Sequence, residues 1–432
     1  MGQVAFLGIG AVSTIALARW LGPSDRGVLA LVAYAAELTV AIGTAGFTYA
    51  VAYYASRRDA DRGALLGNSL LVGGVLALVC VPAFALLAHE LARALSHGQD
   101  AEAWSLVGIV VVVTFLDWCI HNQLIGKLQF GWLNVLLVAS QLVSLLAIVV
   151  FIRAAGWGVI GGLLSGVSAS VVMVVGSLAV IGRLRPSFDP GLMRRLFAYG
   201  SRVSVGWIFQ LVNYRADVFV LQIFVSLKDV GVYVVAVLVA ELALTAGGAL
   251  NRSVSALVAN YEGEDRQTDT ITSSMRHGII LTAATVAGLA VVGGFAIRIA
   301  FGPEFTSAIA PMYILLPGMI FLGCGSVVTG NLRGIGRPGV SSVLAGATVL
   351  ITLALDFLLI PRHGIDGAAL ASTIAYTAYG VAGVVILSRV TKLSIRSLAV
   401  PTARDLVPYR TAVTAVLGAL GRTVRSQEAK AK

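Results

Sequence analysis

The residues of this chain that could do chemistry are ionisable side chains set inside apolar runs. Tyr199 to Phe224 reads YGSRVSVGWIFQLVNYRADVFVLQIF, with Arg202 near its start and Arg215 13 residues further on, roughly 20 Å along a helix. Gln210, Asn213 and Asp217 add polar groups to the same run. In the next run Glu241 lies 12 residues past Asp229, and Arg215 lies 11 residues before Ser226. Those spacings set both side chains roughly 16–18 Å from a shared outer end. Charges in hydrocarbon are expensive and mark either function or mutual pairing. Two chemistries stay open. In one, Arg202 and Arg215, helped by Gln210 and Asn213, line a wet cavity and bind an anionic headgroup. The planar guanidinium fork matches phosphate and pyrophosphate and keeps its charge. In the other, Arg215, Asp217 and Glu241 form an internal ion-pair network. Glu37 joins these carboxylates as a charge-network or ion-coupling candidate, with H+ or Na+ as the possible coupling ion.

No nucleophile–base or metal-ligand constellation accompanies them, so no catalytic residue, metal site or cofactor is assigned. Cys80, Cys119 and Cys324 are scattered inside apolar runs, and the five histidines (89, 97, 121, 277, 363) are isolated in the sequence. Asp117 and Asp356 are further intramembrane carboxylates with no role beyond cavity lining.

The elements that must position these groups follow from composition. Of 432 residues 58% are hydrophobic and 12% charged, with mean hydropathy +0.89; soluble domains carry about 25% charged residues. Twelve apolar runs recur, near 3–21, 27–52, 63–88, 103–124, 131–152, 156–181, 197–225, 230–257, 277–299, 305–331, 339–360 and 366–388. Each approaches the roughly 20 residues that a membrane helix needs, and no gap between them holds a soluble domain. The fold class is an all-α polytopic membrane protein of about 12 transmembrane helices. Net charge is +10 with pI about 9.8, but the placement of the basic residues argues against nucleic acid. Arg57, Arg58, Arg62, Lys127, Arg183, Arg185, Arg194, Arg195, Arg266, Arg276, Arg333 and Arg337 fall in alternate loops, and the tail after residue 388 adds more. This positive-inside bias places both termini in the cytoplasm and suits anionic lipid headgroups. Ala16-Leu17-Ala18 imitates a signal-peptidase site without a basic segment before it, so the first run is expected in the mature protein.

One phrase occurs twice. DRGVLALVAYAAEL begins at Asp25 and DVGVYVVAVLVAEL at Asp229, 204 residues later. GVIGGLLS at Gly158 and GIDGAALA at Gly364 repeat at an offset of 206. Matched offsets indicate a duplication. Six runs per half make the halves parallel repeats about an axis along the membrane normal. The expected organisation is an N-lobe over 1–181, a cytoplasmic linker over 182–196 with a short amphipathic helix at 189–197, a C-lobe over 197–388, and a basic tail over 389–432. An interfacial amphipathic helix is expected at 410–425. On the 204 offset Glu37 matches Glu241, whereas Arg215 and Asp217 fall on Ala11 and Ser13. Gly158, Gly162 and Gly166 form a small-residue ridge suited to tight helix packing, and Pro311 and Pro317 mark a bend in the tenth run.

ARWLGPSDRGVLALV (18–32), RADVFVLQIF with DVGVYVVAVLVAEL (215–242), FGPEF (301–305), NLRGIGRP (331–338) and LIPRHGIDGAALAS (359–372) together resemble polysaccharide-exporting flippases of the multidrug, oligosaccharidyl-lipid and polysaccharide exporter superfamily. The resemblance spans nearly the whole chain. It implies translocation of an isoprenoid-pyrophosphate-linked oligosaccharide across the cytoplasmic membrane by alternating access, with membrane lipids and polysaccharide-assembly proteins as partners and no nucleic acid. It carries no fixed binding motif. A cation-coupled drug antiporter of the same superfamily would instead use Glu37, Asp217 and Glu241 as cation ligands. A membrane glycosyltransferase or polymerase ranks lower, because residues 89–102 (HELARALSHGQDAE) make the longest outer loop.

Overall fold

The computed structural model describes residues 2–57, 61–182, 184–245, 264–407 and 409, and among them there is helix and no strand. Helix α1, Gly2–Gly43, is two legs joined at Gly22. There φ is 76° and ψ 174°, a conformation open essentially to glycine alone, and Pro23 follows. A turn with left-handed Ala45 and Gly46 leads to α2, Phe47–Ala55. The second apolar run is therefore not one helix: these two left-handed residues break it at 44–46, which composition does not register. Then come α3, Arg62–Leu95; α4, Ala101–Ser105; α5, Val107–Gly126; α6, Phe130–Ile148, ending in a π-turn over Val149–Ala154; and α7, Gly158–Ile181. Leg packing is dense here, with α1 against α5, α6 and α7, and α2 and α3 against α5.

Helix α8 runs from Pro190 to Phe224 without interruption. The sequence predicts a separate linker helix at 189–197, but nothing breaks the chain there. Asp189 caps the helix by accepting from Leu192 N at 3.0 Å, and Pro190 occupies the first turn, where a missing N–H costs nothing. Asn68, fully buried, holds the entry by bonding both Asp189 O (2.9 Å) and Asp189 N (3.2 Å). Next are α9, Leu227–Glu241; α10, Glu264–Phe301; α11, Ile309–Gly334; α12, Pro338–Thr391; and α13, Ile395–Ala399. Pro311 sits in the first turn of α11, so of the expected pair only Pro317 lies inside the ladder. Helix α12 is two legs broken at Gly364, where φ is 55° and ψ −133°. Among the described residues eight helices are long and apolar enough to cross a membrane. They carry apolar runs one to six and nine to twelve; run seven lies in α8, and run eight begins in α9, its residues after 245 lying outside the described ones. The tail segment 410–425 lies outside the described residues.

The chain forms two compact units. The first comprises Met1–Ala240, Ala290–Leu316 and Ser342–Ala375; the second comprises the described residues of Glu241–Leu289, Pro317–Ser341 and Tyr376–Lys432. In the second, Ile271, Met275, Val327, Val328, Leu332 and Leu387 make the apolar core. Arg276 fastens the C-terminal segment there, donating to Ser397 O at 2.8 Å and lying 3.5 Å from Asp405, while His277 meets the Tyr409 hydroxyl at 2.8 Å.

In the first unit the repeated phrase has a structural purpose. A β-carbon on Gly27 would collide with Leu227 O and lie 3.0 Å from Gly231 N; one on Gly231 would collide with Pro23 O and lie 2.9 Å from Gly27 N. Both pairs, 23 with 227 and 27 with 231, are separated by the same 204 residues as the phrases. A contact in which residue i meets j and the copy of j meets the copy of i is the signature of a two-fold relation. The backbones cross too closely for any side chain, so each copy of the phrase carries glycine. Further along, Gly46 and Gly200 meet in the same manner: a β-carbon on Gly46 would be 2.5 Å from Gly200 O. Rings flank that contact, with Tyr53 stacked on Tyr199 at 4.3 Å and Phe47 at 5.2 Å from Phe197.

Candidate functional site

Arg215 projects from α8 onto the second leg of α1. Its Nε lies 3.4 Å from Glu37 Oε2, and its Cζ lies 4.2 Å from the centre of the Tyr34 ring. Tyr34 and Glu37 are three residues apart and share a helix face. The side chains of Arg215 and Glu37 are 19% and 28% exposed. One contact of 3.4 Å at that exposure is a modest ion pair, to which a cation–π contact adds about 0.5–2 kcal/mol. The sequence points to Asp217 and Glu241 as partners by depth; Glu37 is a partner that the structure adds. Glu241 closes α9 and belongs to the second unit.

Asp217 faces elsewhere, since two residues along a helix turn a side chain by about 200°. It is 2% exposed and accepts from the Tyr233 hydroxyl at 2.5 Å, from Val218 N at 2.8 Å and from Ser372 at 3.4 Å. One turn earlier Asn213 Oδ1 accepts from Thr352 at 2.6 Å. Asp356 stands one turn past Thr352 on α12, as Asp217 stands one turn past Asn213 on α8, close enough for the two carboxylates to repel. Asp356 is fully buried, and neither carboxyl oxygen has a hydrogen-bond partner among the described residues. Two acidic groups, three hydroxyls and an amide thus converge. The sequence leaves Asp356 without a role because its partners are brought in from α8 by folding.

The remaining candidates are dispersed. Gln210 donates to the Tyr214 hydroxyl at 2.7 Å on its own helix, Asn213 is buried in the carboxylate cluster, and Arg202 is exposed. His121 is not isolated: its Nδ1 lies 2.9 Å from Asp117, one turn back on α5. The glycine ridge serves packing only in part. A β-carbon on Gly162 would meet Leu29 at 2.8 Å, but one on Gly166 would meet nothing within 4 Å. Gly166 instead lines an open cavity of about 380 Å³ between α1, α5, α6 and α7, with Trp118, Leu163 and Val113 in its walls. Glu37 reaches this cavity, and so does Arg26. Arg26 is absent from the candidates drawn from the sequence. One signal was available, because the repeat has Arg at 26 where its copy has Val230.

The polysaccharide biosynthesis protein family model matches residues 16–310. The chain belongs to this family. It is 26% identical over 195 residues to the probable low-salt glycan biosynthesis flippase Agl15 of Haloferax volcanii, an alignment covering 44% of this chain and 41% of that protein. The putative O-antigen transporter of Shigella flexneri is 23% identical over 379 residues, 83% of this chain and 88% of that protein. The chain thus spans less than half of the first of these relatives and most of the second. Among solved structures, an inward-facing multidrug resistance MATE family transporter of the MOP superfamily superposes with TM-score 0.72 at 14% identity, over 90% of this chain and 98% of that one. The lipid II flippase MurJ in an inward closed conformation superposes with TM-score 0.71 at 16% identity, over 94% and 90%. These likenesses establish the fold: a multi-pass helical membrane protein of the two-lobe transporter type.

Proposed function

We propose that the protein moves a lipid-linked oligosaccharide, isoprenoid-pyrophosphate-linked, from the cytoplasmic to the outer leaflet of the cell membrane by alternating access. The observation that carries this reading is the Arg215–Glu37 pair, a guanidinium held over Tyr34 by a carboxylate at the edge of an intramembrane cavity. Glu37 meets Arg215 at 3.4 Å, longer than the charge-assisted bonds a phosphate makes, so a substrate phosphate offering two short bonds can displace it. Family membership and two relatives named for glycan flipping and O-antigen transport support the substrate class. The fold alone does not, because drug transporters share it. Within the cavity Glu37 is engaged by Arg215, which disfavours it as the ligand of a cationic drug.

Within this reading, lobes over 1–181 and 197–388 rock about the crossing at Gly27 and Gly231, both termini are cytoplasmic, and the coupling cation, H+ or Na+, is held by Asp217 and Asp356. Other polysaccharide-assembly proteins would supply the substrate and take the product. The test is glycan export together with membrane abundance. Arg215→Ala should abolish export at normal abundance, and Arg215→Lys should recover part of it, since a point charge lacks the fork. Normal export by the charge-free double variant Glu37→Gln/Arg215→Gln would reduce the pair to a structural brace and defeat the proposal.

A further inference from the structure

The cavity between α1, α5, α6 and α7 contains a second guanidinium that the pairing above leaves out. Arg26 begins the second leg of α1, next to Gly27. Residues 26, 29, 33 and 37 recur at helical spacing along one face and all line the cavity. Arg26 and Glu37 therefore lie at opposite ends of it, 11 residues or roughly 16 Å apart. That distance rules Glu37 out as a counter-ion for Arg26. No other carboxylate among the described residues forms an ion pair with Arg26, and its Nε is shielded from solvent without a hydrogen-bond partner. Guanidinium does not shed its proton at any physiological pH. The side chain as a whole is half-buried, so its charge is open to the cavity while the shielded Nε–H keeps a hydrogen bond to give to an anion that enters.

The rest of the cavity suits a sugar. Leu29, Val113 and Trp118 give apolar wall, and Thr114, Ser144 and Ser170 add hydroxyls. At about 380 Å³ the space lies at the low end of small-ligand sites, which run about 300–1,000 Å³. It fits a phosphate group and the sugar next to it, with the remaining glycan and the lipid outside.

We propose that Arg26 is an anion-binding residue of this cavity, taking the phosphate-bearing end of the lipid-linked saccharide while its first sugar lies along α5 and α7. This deepens the flippase reading and rests on it. Arg26 and Arg215 then form two stations spaced along α1, with the phosphate passing from one guanidinium to the other.

The experiment is equilibrium binding of farnesyl-pyrophosphoryl-N-acetylglucosamine to the purified full chain in detergent, with inorganic pyrophosphate as competitor. Arg26→Gln should weaken binding at least about tenfold, the equivalent of about 1.4 kcal/mol. Arg26→Lys should weaken it less. Gly166→Leu, which enters open space and fills the cavity, should weaken the saccharide probe while sparing pyrophosphate itself. Wild-type affinity in Arg26→Gln overturns the assignment; if Arg215→Gln meanwhile loses the probe, the flippase reading survives without Arg26. A wild-type chain that binds neither probe sinks both. Should Arg26→Gln fail to elute as a single species, unchanged affinity in both Arg26→Lys and Gly166→Leu overturns the proposal on its own.

Discussion

Replacing Gly231 by alanine should push the two copies of the repeated phrase apart. The new methyl would overlap Pro23 O and stand 2.9 Å from Gly27 N, whereas carbon and oxygen settle at about 3.3–3.6 Å even in their closest favourable contacts. Relief requires the helices to separate by about an ångström, in a region where Val230, Val232, Tyr233 and Val234 are all essentially buried. Overpacking of this kind costs about 1–3 kcal/mol. Alanine returns about 0.5–1 kcal/mol through its better helix propensity, so a net loss of about 1–2 kcal/mol is expected. Gly27→Ala should cost a similar amount, because the contact is reciprocal. The double variant should cost little more than either single one, since one separation accommodates both methyls; the shortfall from additivity should reach about 1 kcal/mol. Gly74→Ala on α3, with nothing within 4 Å of its new methyl, is the control and should be neutral or mildly stabilising. The assay is unfolding of the purified protein in mixed micelles titrated with SDS, followed by helical circular dichroism. If Gly231→Ala unfolds at the same SDS fraction as Gly74→Ala, or the double variant is simply additive, the two-fold crossing is wrong.

Three further outcomes follow from named contacts. Cysteine at Arg185 or Arg333 should be labelled by a membrane-impermeant maleimide only in opened cells, and cysteine at Asp100 or Glu304 in intact ones; labelling of position 333 from outside would invert the topology. Asp356→Asn should remove the dependence of export on the proton or sodium gradient and leave binding of the pyrophosphate probe intact, and an unchanged gradient dependence would clear Asp217 and Asp356 of coupling. Asp405 is held below the ordinary carboxylate value by the Thr402 N–H and hydroxyl, with Arg276 adding to it. Its contribution to docking of the C-terminal segment is therefore present above the ordinary value of about 3.9 and lost as pH falls through the lowered one. Protection from hydrogen exchange over 395–407, corrected for the intrinsic rate at each pH, should stay flat from neutral pH down to that window and fall below it, whereas a fall near neutrality would contradict the sign.

Hydropathy made the membrane class and the number of apolar runs legible, because length and apolarity are the physical requirements for crossing a bilayer. Breaks were legible where glycine sits beside proline, at Gly22-Pro23 and between Pro361 and Gly364. The break at 44–46 was hidden, since Ala45 and Gly46 are as apolar as their neighbours and only their backbone angles interrupt the helix. Fusion of the linker helix with the seventh run was hidden for the opposite reason: arginines at 194, 195 and 202 lower hydropathy without disturbing helical hydrogen bonds. Pairings were least legible. Depth along a helix narrows the partners of Arg215 to groups at one level, and on the repeat Glu37 and Glu241 are copies of one position. Depth alone could not single out Glu37.

That ambiguity shows what each copy of the duplication has to do. Positions where backbones meet are the same in both halves: Gly27 and Gly231 need the absence of a side chain, and a two-fold crossing needs it twice. Charges are not the same. Arg26 matches Val230, Arg215 matches Ala11, and Asp217 matches Ser13. Under the function proposed above, alternating access asks for two arrangements of near-equal energy, which related halves meeting at a symmetric crossing supply. One substrate with a single anionic end asks for the reverse, because two symmetric sites would compete for it. Keeping glycines in register while placing each guanidinium in only one half meets both demands. On this argument, installing Arg at Ala11, the exposed copy of Arg215, should leave the fold stable and should slow export by giving the headgroup a second resting place. Export by Ala11→Arg at the wild-type rate, with normal abundance, would remove asymmetry of charge from the mechanism.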